Sequence, residues 1–233
     1  MDPELSGLSS MATRQILAEV TAQLRHDPGV ALRFESAGGV AIARRVREGA
    51  AADLLVLAED AIAALTREGY LLADTVRPLW VSRVVAAVPA DAPARALATE
   101  ADLRAALLAA PRIACSTGPS GDALLGLLAR LGLAGVLRPR LLQAPPGVPV
   151  GSLLASGDAD LAFQQLSELM DVPGVRVLGT LPGDTAISST FSAGVLTASA
   201  RPQRAAAALG LLGSEAASAA ARARGMQPYG RPA

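Results

Sequence analysis

The sequence predicts an α/β fold, a mostly parallel sheet covered by helices. Three observations carry this. Strand-like apolar runs alternate with stretches of helical apolar spacing along the whole chain, joined by short loops. The run Leu54-Leu55-Val56-Leu57 is continuous rather than alternating, as in a strand buried on both faces. Small polar turns stand where strands pass into helices.

In order, Leu5–Leu8 reads as a first strand and Ser9-Ser10 as the turn after it. Met11–Leu24 follows as a helix, with Ile16, Val20 and Leu24 at four-residue intervals. Val30–Phe34 is the second strand, and Ser36–Gly39 leads into a helix over Val40–Glu48 that Gly49 ends. Asp53–Ala58 is a strand, and Glu59–Glu68 is a helix stopped by Gly69. Val84–Val88 is a strand bounded by Pro89, and the Pro- and Ala-rich Ala90–Ala98 is a loop. Thr99 opens a helix reaching Ala109, with Asp102 where a capping box usually has Glu or Gln. Arg112–Cys115 is a short strand, Ser116–Gly121 a turn, and Asp122–Leu131 a helix that Gly132 stops. Then come strand Arg140–Gln143, helix Val148–Ser156, strand Asp160–Gln164, short helix Ser167–Met170 and strand Val175–Leu181. Thr190–Thr197 is the last strand expected; Pro202–Leu212 and Ser214–Arg224 are Ala-rich helices.

The 233 residues fit one large domain or two small lobes. Hydrophobic residues make up 51% and aromatics only 3%, so Leu, Val and Ala must build the core. The 21 basic residues, all Arg, balance 21 acidic ones, and neither a basic block nor interleaved aromatics point to nucleic acid. The single Cys115 excludes an intrachain disulfide. His26, the one histidine, sits beside Asp27-Pro28-Gly29 and reads as a solvated helix-end residue, which leaves no His-based metal site or Ser-His pair. Neither a cofactor nor a metal is expected. No apolar run reaches the roughly 18 residues of a membrane helix. The start, Met1-Asp2-Pro3-Glu4, has no apolar leader region, so the expectation is a cytoplasmic protein, or a periplasmic one whose leader was removed.

Three turns share one chemistry: Ser9-Ser10, Ser36–Gly39 and Ser116–Gly121 all stand at strand carboxyl ends and helix amino ends. Backbone N–H groups there face the positive end of a helix dipole, and Ser116, Thr117 and Ser120 add neutral donors beside Gly118 and Gly121. That suits a small anion. No Gly-Lys-Ser/Thr follows, so this is not a nucleotide-phosphate loop, and the dinucleotide pattern is absent. In parallel sheets ligands bind beyond the strand carboxyl ends. Either the three turns converge there, or they are three separate capped helices.

The ordered set of stretches Ser9-Ser10-Met11-Ala12, Phe34–Gly39, Ala51–Ala58, Thr117–Gly121 and Gly157–Phe163 resembles the molybdate-binding-protein-like group of type II periplasmic solute-binding proteins. Ser120-Gly121, followed by Phe163–Leu169, is similar to the branch of that group that includes aconitate isomerase. The resemblance runs from about Leu5 to Pro228. It implies a two-lobed type II periplasmic-binding-protein-like fold, with lobe one holding residues 1–82 and 188–233, lobe two 83–187, and a ligand cleft between them. It implies donors from Ser9 or Ser10, from Ser36 with Gly38 and Gly39, from Ser120 and from the backbone at Gly147-Val148, with Gln165 where the family typically has a tyrosine. Gln164 stands beside it, and Arg83 falls at the implied lobe crossing, where its fork suits a planar carboxylate.

Two functions follow as expectations. The first is a monomeric solute-binding protein that closes on a small anion, an organic acid in preference to molybdate, and serves an ABC-type permease. The second is an isomerase moving a proton on a tricarboxylate such as aconitate. Its base would be an activated hydroxyl or a carboxylate such as Glu35 or Glu168, both of which read first as solvated surface charges. A cytoplasmic anion-sensing module is a third reading. Trp80 and Phe191 are expected to pack in the core.

Overall fold

A computed structural model describes residues 4–24, 31–93, 96–145 and 147–230, so His26 lies outside the described residues. The chain begins with β1 (Leu5–Ser10), α1 (Arg14–Leu24), β2 (Leu32–Ala37), α2 (Gly39–Arg47), β3 (Leu54–Ala58), α3 (Glu59–Arg67) and β4 (Arg77–Pro89). It continues with α4 (Glu100–Ala109), β5 (Ile113–Cys115), α5 (Pro119–Arg130), α6 (Ala134–Leu137), β6 (Leu141–Gln143), α7 (Val150–Ala155), β7 (Leu161–Gln165), α8 (Leu166–Leu169) and β8 (Val175–Thr180). It ends with β9 (Ser188–Val195), α9 (Pro202–Leu211), α10 (Glu215–Ala223) and β10 (Met226–Pro228). Two compact units result, Met1–Ser82 with Thr190–Ala233, and Arg83–Ser189. The boundaries fall inside β4 and β9, so these two strands carry the chain between the units.

In the first unit β1 pairs in parallel with both β2 and β3, and β9 lies antiparallel on β3. The unbroken apolar run of β3 is explained by its two covered faces. Leu54 and Val56 pack with residues of α1, α9 and α10 on one side, and Leu55 and Leu57 with those of α2 and α3 on the other. Trp80 and Phe191 join the first of these cores, as expected for aromatics that pack rather than stack on ligand. Gly7 stands opposite Phe34, and a Cβ there would lie 2.2 Å from its ring. Only glycine leaves room for that ring against the strand.

The second unit has the strand order β8-β4-β7-β5-β6, parallel across β7, β5 and β6 and antiparallel at β4. Along β4, Val84, Ala86 and Val88 face the core of α4 and α5, while Val85 and Ala87 face that of α7 and α8.

Several elements differ from those read in the sequence. Strand β1 runs on through Ser9 and Ser10, and β2 through Ser36, so these serines lie in strands and not in the turns after them, because the parallel pairing of β1 with β2 continues to Ser10 and Ala37. Helix α6 has no counterpart in the sequence reading. Strand β4 starts at Arg77, not Val84, because its first half pairs with β10, whose Met226 stands opposite Ser82. Pro78 hides that half, yet proline is tolerated near a strand start. Strand β10 itself is three residues long and too short to show a period. Helix α5 starts at Pro119, which occupies the first turn, so Ser120 and Gly121 belong to the helix and not to the loop before it.

Candidate functional site

Each unit gathers its small polar residues at strand carboxyl ends. In the first, Ser9, next to last in β1, stands directly opposite Ser36 of β2, and their hydroxyls hydrogen-bond at 2.7 Å. Ser9 is fully buried and Ser36 half-buried. Ser10 precedes a 3-10 turn over Met11–Thr13, and its carbonyl accepts from the Thr13 hydroxyl at 3.0 Å. Gly38 caps α2, whose first intrahelical donor is Ile42 N–H to the Gly38 carbonyl, 3.0 Å. The N–H groups of Gly39, Val40 and Ala41 therefore precede the helix ladder. A Cβ on Gly39 would lie 4.0 Å from the Ser10 hydroxyl, so Ser10 and the start of α2 are neighbours. A cavity of about 270 Å³ beside this cluster is lined by Arg14, Phe34 and Ser36 among others. Arg14 is a cation that the sequence reading passed over.

In the second unit the Ser116 and Ser120 hydroxyls bond at 2.9 Å, and the Gly118 N–H donates to Ser116 Oγ at 3.3 Å. The Gly121 and Asp122 N–H groups both return to the Gly118 carbonyl. A Cβ on Gly121 would stand 1.9 Å from the Ser116 carbonyl oxygen, so this turn closes only with glycine there. Thr117 is exposed at its tip. Val148 does not offer the donor expected of it: its N–H is engaged by the Pro145 carbonyl at 3.0 Å.

Gln164 and Gln165 end β7, opposite Val85 and Val84 of β4, and both are buried. Gln165 Nε2 donates to Ser189 Oγ at 3.0 Å, and Gln164 Nε2 donates to Glu168 Oε1 at 2.7 Å. Their Oε1 atoms, like the Ser167 hydroxyl, are buried without a partner. Arg83 is exposed on β4 next to Val84, and it makes no hydrogen bond or ion pair among the described residues.

The carboxylates part company. Glu35 is exposed and held by a two-pronged ion pair with Arg45, at 2.6 and 2.9 Å, and this hydrogen bonding lowers its pKa. It is no base. Glu168, read as a solvated charge, is largely enclosed, and desolvation pushes its carboxyl up to about 7. No local pattern signals this pair, because Gln164 lies in β7 and Glu168 in α8, so their four-residue spacing is not that of one helix. Cys115 is fully buried and its thiol is raised to about 11 by burial, so it is inert as a nucleophile. A second cavity, about 430 Å³, lies at Gly49, Gly69 and Tyr70, where α2 and α3 end. Helix carboxyl ends repel anions, which sets this cavity apart from the serine turns.

The chain matches the model of the family described as bacterial extracellular solute-binding protein over residues 5–227. It is 29% identical over 232 residues to an aconitate isomerase of Pseudomonas sp, covering 96% of this chain and 87% of the relative. The periplasmic molybdate-binding protein of Azotobacter vinelandii superposes with a TM-score of 0.79 at 21% identity, covering 96% of this chain and 98% of that one. The sulfate-binding protein SubI of Mycobacterium tuberculosis H37Rv gives a TM-score of 0.79 at 17% identity, covering 98% and 88%. These two solved structures share the type II periplasmic-binding-protein fold with this chain.

Proposed function

The chain belongs to the bacterial extracellular solute-binding proteins, and on that footing we propose that it closes on a small organic acid in the periplasm and hands it to an ABC-type uptake system. The observation that carries the reading is a hydroxyl pair repeated in both units, Ser9–Ser36 and Ser116–Ser120, each beside the amino end of a helix of nine or more residues. Within a pair one hydrogen joins the two oxygens, so the other is free to donate to a ligand. Arg83 adds a fork suited to a planar carboxylate, which a tetrahedral oxyanion does not need. The test is thermal shift against molybdate, tungstate, sulfate, citrate and both aconitate isomers. A ligand of the folded state at about 100 times its Kd adds about 2.7 kcal/mol of stability. A rise in Tm with citrate or an aconitate supports the organic acid. A rise with molybdate alone overturns it.

A second reading, isomerisation of a tricarboxylate, is favoured by one observation beyond the 29% relative. Glu168 is a carboxylate whose titration falls near neutrality, as a proton-transferring group requires.

A further inference from the structure

We propose that Glu168 is the residue that moves a carbon-bound proton on an unsaturated tricarboxylate, with Gln164 as its positioning residue. This rests on the anion-binding reading above and deepens its second form. Four features of the second unit support it. Glu168 stands in the short helix α8 immediately after β7, at the strand carboxyl ends where ligands of such sheets bind. Its Oε1 is fixed by Gln164 Nε2 at 2.7 Å, and its Oε2 has no hydrogen-bond partner among the described residues. Around it the buried Gln164 Oε1 and Ser167 Oγ have no partner, although both residues are more than nine-tenths buried. Unpaired buried polar groups of this kind are costly in a closed core and ordinary in a site completed by ligand.

Arg83 supplies the fourth feature. It has the same strand parity as Val85, which stands opposite Gln164, so both side chains project from one face of the sheet. A cation on that face holds a substrate carboxylate and stabilises charge that spreads onto it.

The surroundings of Glu168 hold few other charges. Helix α7 and strand β7 carry no titratable group, and β8 carries only Arg176, whose guanidinium is turned to the Ala92 carbonyl. Asp171 follows α8 closely in the chain.

The step balances without a co-reactant. The Glu168 carboxylate takes a proton from the methylene carbon that lies between a carboxylate and the double bond. The C–H electron pair delocalises across the alkene onto the far carboxylate. Protonated Glu168 then returns the proton to the former vinyl carbon, and the double bond moves by one position. Nothing is oxidised or reduced.

The experiment uses the full chain with trans-aconitate in deuterium oxide, followed by proton NMR, alongside calorimetry with citrate and trans-aconitate. The wild type is expected to exchange the methylene protons and form the cis isomer. Glu168→Gln should lose about 10²–10⁴-fold in exchange while still binding citrate, and Glu168→Asp should recover part of the rate. Gln164→Leu removes a hydrogen bond to the charged carboxylate, so Glu168 titrates higher and the rate rises only at higher pH. A purely structural Gln164 would not move that pH profile. Binding of trans-aconitate without exchange, or wild-type exchange in Glu168→Gln, overturns the proton transfer and leaves anion binding standing. No binding of any anion in the panel overturns both.

Discussion

Ser36 and Ser120 each hold a neighbouring serine by its hydroxyl, and each stands where a helix begins. Removing either oxygen deletes one hydrogen bond to a charged ligand, worth about 1.5–3 kcal/mol, or about 10- to 100-fold in affinity. Ser36→Ala and Ser120→Ala should therefore weaken anion binding in calorimetry without unfolding the protein. Unchanged affinity in both variants would remove the proposed donors. Gly121→Ala is expected to act differently. Its Cβ would collide with the Ser116 carbonyl, and that backbone atom cannot swing aside as a side chain could. The Ser116–Ser120 turn must open, so both affinity and Tm should fall. Small polar clusters such as those at Ser36 and Gly121 were legible in the sequence because they are local, but that Ser36 lies in β2 and Gly121 in α5 was not. Nor were Glu35 and Glu168, because Arg45 and the enclosure of α8 decide their charge.

Helix α4 shows how far local signals reach. Thr99 accepts from the Asp102 N–H, and the Asp102 carboxylate accepts from the Thr99 N–H, the reciprocal arrangement expected from those four residues. Thr99→Ala is expected to cost about 0.5–2 kcal/mol, read as a Tm lowered by a few degrees in calorimetric scans. Strand β3 was equally legible, since an unbroken apolar run has no solvated face to offer. Strand β4 was not. Its first half exists because β10 pairs with it, and Met226 is far along the chain from Ser82. No window around Arg77 contains that information.

Across the first unit, Asp53 joins distant segments. Its carboxylate accepts from the Ser6 N–H at 2.9 Å, the Ser199 hydroxyl at 2.7 Å and Arg201 at 3.1 Å. Burial pushes its pKa up, but the bonds from Ser199, Ser6 and Arg201 outweigh this and hold it below the usual value. A depressed folded pKa contributes stability above the unfolded value, about 3.9, and that stability is lost as pH falls through the folded one. Asp53→Asn should thus lower Tm near neutrality by disrupting these contacts, about 1–3 kcal/mol. The gap from wild type should close as the pH is lowered; a gap constant down to strong acid would show that the charge is not what matters. For the molecule as a whole, closure on a small anion, as proposed above, should give a smaller radius of gyration in small-angle scattering with saturating ligand, and identical curves would reject closure.

Most of the alternation of strand and helix, the two covered faces of β3, the cap of α4 and the gathering of small polar residues near helix starts were legible in the sequence alone. Each depends on residues within a few positions of one another, where apolar period and turn chemistry act directly. Tertiary structure decided that Ser9 meets Ser36, that Val148 has no N–H to give, that Arg45 occupies Glu35 and that Gln164 stands against a desolvated Glu168. Register and burial set these outcomes, and both arise only when segments far apart in the chain pack together and exclude water.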